Sequence, residues 1–147
     1  MNKELVYAWY EQYKTGIYRY ALSILKDTHG AEDVLQETFL RLLQSDSLHF
    51  QPGMEKAWLY RVARNLCYDH LRRAKRECAE MESAAAKSGE LEFVALIAPL
   101  KKTEREIVSL KILGNLTHKE IAAVLHLTVH GTKKRYERAI QKLREEM

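Results

Sequence analysis

The chain has 147 residues, 46% of them apolar, a net charge of +4 and two cysteines. That length holds one ordinary domain or two small helical ones with modest cores, and it excludes a large catalytic cleft between big domains. No window approaches the roughly 20 continuous apolar residues of a membrane span, and MNKELVYAWYEQYK lacks an apolar stretch leading to a small-residue cleavage site, so a cytoplasmic location is expected.

Charge is distributed unevenly. Residues 1–78 carry 12 basic and 10 acidic side chains, residues 79–98 carry 1 and 4, and residues 99–147 carry 11 and 6, so two mildly basic blocks flank an acidic spacer. Cys67 and Cys78 lie in one basic helical region without partners at zinc-ligand spacing. A reducing compartment, no disulfide, no metal and no cofactor are expected.

Helical periodicity runs over 4–26, 30–44 and 55–76, interrupted by SDSLHFQPG, which Pro52-Gly53 marks as a loop. In GAEDVLQETFLRLL, residues 30–43, the apolar side is Val34, Leu35, Thr38, Phe39 and Leu42. The opposite side sets Asp33, Gln36 and Glu37 around Leu40. A leucine inside a polar rim is either an interface anchor or a harmlessly exposed apolar residue on a solvated face.

The next helix, WLYRVARNLCYDHLRRAKR, turns Leu59, Val62, Ala63, Leu66, His70 and Leu71 toward a core. Its other side shows Tyr60, Arg61, Arg64, Asn65, Tyr68, Arg72, Lys75 and Arg76. Alternating cations and aromatics suit a phosphate backbone and bases that leave the duplex, with Asn65 able to make paired hydrogen bonds and Trp58 able to support an unstacked base. Tyrosines at this spacing also serve as ordinary packing residues. Asp69 is expected to pair with a neighbouring arginine.

Residues 79–92, AEMESAAAKSGELE, read as a linker whose first half can prolong the preceding helix; the second block starts near Phe93 or Pro99. Two capping-box patterns follow, Thr103 to Glu106 and Thr117 to Glu120, and Thr128 can cap a last helix from about 129. On that helix Val129, Thr132, Tyr136, Ala139, Ile140 and Leu143 gather on one side. His130, Gly131, Lys134, Arg135, Arg138 and Lys142 gather on the other. Such a face fits a major groove, with His130, Gly131 and Lys134 toward base edges and Lys133, Arg135 and Arg138 toward phosphates. A solvated bundle helix has the same composition. Nothing in the chain competes with an all-α reading.

Three segments, GAEDVLQETFLRLL, KAWLYRVARNLCYDHLRRAKR and LKKTEREIVSLKILGNLTHKEIAAVLHLTVHGTKKRYERAIQKLREEM, resemble successive regions of the bacterial extracytoplasmic-function sigma factors, the small class of the sigma-70 family. The resemblance covers almost the whole chain, in order. It implies two helical domains: 1–78 for core RNA polymerase binding and minus-10 recognition, 79–98 as linker, and 99–147 as a helix-turn-helix for the minus-35 element. By position, Asp33, Gln36, Glu37 and Leu40 would face the beta-prime coiled coil. Trp58, Arg61, Arg64, Asn65, Tyr68, Arg72 and Arg73 would meet minus-10 DNA, with the 46–54 loop shaping a pocket for an extruded base. Thr128, His130, Gly131, Lys133, Lys134, Arg135 and Arg138 would meet minus-35 DNA.

Gly131, Thr132 and Tyr136 depart from the family's Thr-Val-Lys-x-Arg-Leu pattern, whereas Thr128, Lys133 and Arg135 keep it. The resemblance implies no enzyme and, as further partners, promoter DNA in duplex and single-stranded form and an anti-sigma factor. The rival readings are a dimeric helix-turn-helix regulator, a sigma-derived polymerase-binding protein that no longer initiates, and a small nuclease, for which Asp33 and Glu37 form no two-metal or nucleophile constellation.

Overall fold

The computed structural model describes residues 3–45, 53–76 and 88–146. Among these residues the chain forms seven helices and no β-strand: α1 Lys3–Leu25, α2 Thr28–Gln44, α3 Glu55–Arg76, α4 Ser88–Ile97, α5 Lys102–Ile112, α6 His118–Leu125 and α7 Val129–Glu145. None is long and apolar enough to cross a membrane.

The first block is a three-helix bundle. Lys26, in left-handed conformation, turns the chain out of α1, and the Asp27 carboxylate accepts from the His29 amide at 3.1 Å to start α2. α2 buries Val34, Thr38, Phe39 and Leu42, as its periodicity predicts; the Thr38 hydroxyl is satisfied by the Val34 carbonyl at 2.6 Å. Most of the expected 45–53 loop lies outside the described residues.

The second block differs from expectation in two places. The stretch expected to be a linker carries α4, which contributes Ile97 to a small cluster with Leu100, Val108, Ala139 and Leu143. α5 starts one residue ahead of Thr103: the Lys101 amide donates to Glu104 at 3.2 Å, so the capping box expected at Thr103 and Glu106 is not formed. Glu106 is thereby released for another use. The second box forms as read, with Glu120 N donating to Thr117 Oγ1 at 3.1 Å and Thr117 N donating to Glu120 Oε1 at 2.9 Å. His126, in left-handed conformation, closes α6 and makes the turn to α7, where Thr128 Oγ1 accepts from Gly131 N at 3.0 Å.

The two blocks share one core. Ile107, Leu110, Leu116, Ile121 and Val124 of the second belong to the same buried cluster as Ile17, Tyr20, Leu59, Tyr60 and Ala63 of the first. Two glycines allow this close approach. A Cβ on Gly16 would collide with the Tyr60 hydroxyl, and one on Gly114 would sit 2.6 Å from Leu116 Cδ1 and 2.9 Å from Tyr60 Cζ. Tyr60, expected on the outward side of α3, is consequently buried. The reason is that α3 is covered on two sides, by α1 and α2 and again by α6. Leu71 and Val129, both expected in a core, are instead 38% and 48% exposed.

Candidate nucleic-acid and protein interfaces

On α2, Leu40 is 45% exposed while its helix neighbours Phe39 and Leu42 are buried. Asp33 and Gln36 are exposed and Glu37 half-exposed, with an Arg41 ion pair at 3.3 Å. These four residues line an open groove of about 820 Å³ between α2 and α3, whose far wall includes Leu66, Asp69, His70, Arg72 and Arg73. Asp69 bonds Arg72, the pairing expected for it. Leu40 and Leu66 are the apolar members of its lining, and the rest is polar or charged with both signs, a mixture suited to docking a protein through one apolar anchor.

The candidate residues on the outward side of α3 divide into two sets. Asn65, Arg72 and Arg73 are exposed. Arg61, Arg64 and Tyr68 are half-buried against the second block. Arg64 donates from Nε to Glu106 Oε1 at 2.8 Å and from Nη2 to Oε2 at 3.2 Å, and the Tyr68 hydroxyl donates to the same Oε1 at 2.6 Å. Arg61 Nη2 donates to the Ala123 carbonyl at 2.8 Å. Trp58 is half-buried and packs against the shared core.

Electrostatics reinforce the trio. Burial lowers the Arg64 guanidinium, but the bond to Glu106 and its charge outweigh that and hold it above its ordinary value. Burial, then the bond to Glu106, pushes the Tyr68 phenol well up, so it stays a donor. Two cations lie over its ring, Lys102 Nζ at 4.7 Å and Arg64 Cζ at 5.0 Å from the centroid. Neighbouring Cys67 is fully buried and its thiol is pushed up to about 12 by that burial, which makes it an inert packing residue. Cys78 lies outside the described residues.

On α7, His130, Lys133, Lys134 and Arg138 are exposed, Arg135 and Gly131 are half-buried, and Thr128 is exposed at the cap. Lys142, expected on the same cationic arc, pairs instead with Glu104 at 3.2 Å and ties α7 to α5. The unusual residues fit locally. The Thr132 hydroxyl, in a fully buried side chain, donates to the Thr128 carbonyl at 2.8 Å. Tyr136 stacks obliquely on His118 with ring centroids 5.4 Å apart. A Cβ at Gly131 would crowd the Thr128 hydroxyl at 2.8 Å and Arg135 Nη1 at 3.1 Å, so the glycine lets Arg135 fold over the helix start.

Sequence reasoning assigned Glu106 to a cap and gave Lys102 no role. Glu106 is one of two acids in Thr-Glu-Arg-Glu, and only the tertiary pairing tells which caps and which reaches α3.

Residues 9–77 match the family model for Sigma-70 region 2, and residues 90–143 the one for Sigma-70, region 4. Among curated proteins the chain is 31% identical to the ECF RNA polymerase sigma factor SigM of Bacillus subtilis over 92% of this chain and 90% of that protein. It is 32% identical to EcfG of Rhodopseudomonas palustris, over 84% and 75%. Among solved structures, CnrH in complex with the cytosolic domain of CnrY superposes with a TM-score of 0.74 at 26% identity, over 98% of this chain and 88% of that one. The sigma factor RpoE in complex with the anti-sigma factor NepR from Bartonella quintana gives 0.71 at 25%, over 94% and 93%. The helical fold, the two matched regions that span most of it and these relatives place the chain in the extracytoplasmic-function class of sigma-70 family sigma factors, proteins that bind RNA polymerase and direct it to promoters.

Proposed function

We propose that the α2 face of Asp33, Gln36, Glu37 and Leu40 docks on the coiled coil of the beta-prime subunit. The observation that carries this is the exposed Leu40 at the centre of a polar rim, on a helix whose Val34, Phe39 and Leu42 are buried in the core. Burial of one leucine in a partner's pocket supplies the anchor, and the surrounding charges set register.

In the same reading Trp58, Arg61, Arg64, Asn65, Tyr68, Arg72 and Arg73 take up the non-template strand of the minus-10 element. Melting is by capture: unstacking a base costs a few kcal/mol, and a surface that binds the single strand offsets that cost. No bond is made or broken. His130, Gly131 and Lys134 approach minus-35 base edges while Lys133, Arg135 and Arg138 contact phosphates and Thr128 holds the helix start. The protein works in the cytoplasm with RNA polymerase. An anti-sigma factor is a further partner in this reading, supported by the solved complex of RpoE with the anti-sigma factor NepR, on which the chain superposes.

The test is multi-round transcription in vitro with purified core polymerase from the source organism over a library of its upstream regions. New start sites that appear with the protein and vanish with Leu40→Asp support the reading; core binding without new transcripts overturns the initiation half.

A further inference from the structure

Three side chains assigned above to minus-10 DNA are already bonded to the second block. Arg61 is held by a carbonyl of α6, and Arg64 and Tyr68 converge on one carboxylate of α5, Glu106, which is only 8% exposed. A carboxylate bound by a guanidinium fork presents two oxygens much as a backbone phosphate does. We infer that Glu106 is an internal phosphate mimic: it latches the second block over α3, and a nucleic-acid strand must displace it to reach Arg64 and Tyr68.

The inference rests on the minus-10 reading of those two residues, but the latch itself stands on geometry alone. Gly16 and Gly114, which allow the Tyr60 contact, show that the seam beneath the latch is close-packed rather than a loose touch of two surfaces. A further bond across it runs from Lys56 Nζ to the Asn115 carbonyl at 3.0 Å. Beside the latch an open groove of about 550 Å³ leaves Asn65 and Arg72 accessible, with Lys102 on its wall. A strand can therefore be held there by exposed groups before it competes for the covered ones.

When only a fraction of molecules is open, apparent affinity falls by that fraction. Opening the latch should thus tighten DNA binding and add a phosphate contact. The experiment uses the full chain with Cys78→Ser and fluorophores on cysteines placed at exposed Gln44 and Gln141, the buried Cys67 being unreactive. Single-molecule energy transfer reports the separation of the blocks. Fluorescence anisotropy reports binding of a mixed-sequence single-stranded 20-mer of DNA across a salt series.

Glu106→Gln is expected to raise the open, low-transfer fraction and to tighten DNA binding about tenfold. It should also steepen the salt dependence by the roughly 0.7 unit of one added single-strand phosphate contact. Glu106→Asp, which keeps the charge but shortens its reach, is expected to fall between and serves if the glutamine variant fails to fold. Glu137→Gln, an equal charge change at an exposed site on α7, should move neither readout.

Unchanged transfer in Glu106→Gln and Glu106→Asp overturns the latch, even if DNA binding tightens, since removal of a repulsive charge would then suffice. Opening with unchanged DNA affinity and salt slope keeps the latch but overturns the minus-10 assignment of Arg64 and Tyr68.

Discussion

α2 and α3 carry the same kind of legend in sequence, a core stripe with functional side chains opposite, yet the structure treats them differently. The α2 face is left open, with Leu40 exposed over a groove, whereas the α3 face is half covered, its Tyr60 buried and its Arg64 and Tyr68 bonded to Glu106. Periodicity specifies which residues share a face; it does not specify what that face meets. Where a second element brings a complementary carbonyl or carboxylate, a surface suited to DNA is equally suited to the inside of the protein.

The largest expected effect tests whether the covered face is part of one cooperative unit. Leu110 is fully buried in the cluster shared by both blocks. Leu110→Ala should cost about 2–5 kcal/mol. Urea unfolding followed at once by the fluorescence of Trp9 and Trp58, both in the first block, and by helical circular dichroism should shift together. Loss of the second block's helicity while the tryptophan signal keeps its midpoint would show that the blocks are stabilised separately and that α3 is only loosely covered.

Leu40→Asp probes the open face. A leucine anchor in a desolvated pocket is worth 2 kcal/mol or more, so core polymerase binding should weaken by a factor of about 30 or beyond, read by competition or surface resonance. The thermal midpoint of the free protein should hardly move, because Leu40 already faces solvent. A large stability loss would mean that this leucine belongs to the fold and would erase the contrast with α3.

These two residues also show how far the sequence carries. Leu40 and its rim were legible because α2 is amphipathic over its whole length and, among the described residues, its second side stays exposed. The helices of the first block, the Thr117 box and the Thr128 cap were legible for the same reason: each is a local signal decided within one turn or one face. Tyr60, Glu106 and α4 were not. Tyr60 is buried because α3 is sandwiched, Glu106 turns to α3 because α5 begins before Thr103, and α4 forms in a segment whose composition resembles a linker but which ends on the buried Ile97. Each depends on a contact between residues far apart in the chain, which no window of the sequence contains.

A middle-sized effect concerns the start of α7, an open face like that of α2. Thr128 supplies the only side-chain bond to the first amides described there, at 3.0 Å to Gly131. Thr128→Ala should cost about 1 kcal/mol, and Thr128→Ser should restore most of it. Duplex minus-35 binding should fall with the alanine variant in the same proportion at all salt concentrations, since the cap positions the helix rather than contacting several phosphates. A change in salt slope would instead make Thr128 part of the phosphate contact set.

The smallest effect is a pH dependence at the seam between α6 and α7. His118 leans on Tyr136, its Nε2 is buried without a hydrogen-bond partner, and its basicity is lowered, first by burial and then by Lys111 of α5 and Lys133 of α7, with Glu137 acting in the opposite direction. The folded protein thus prefers the neutral ring, while the unfolded chain takes up a proton at the ordinary value of about 6.5. Stability from this residue is therefore complete above that value and is lost as pH falls through it, the loss levelling off below the lowered folded value. Urea midpoints should decline between pH 7.5 and 5.5, and His118→Phe, which keeps an aromatic ring beside Tyr136 and cannot titrate, should flatten that part of the profile. An equal decline in the phenylalanine variant would assign the pH response to other groups and leave α6 held over α3 independently of His118. If the profile does flatten, acid loosens the cover of α3 while leaving the α2 face unaltered, and the two faces respond to one solution variable in different ways.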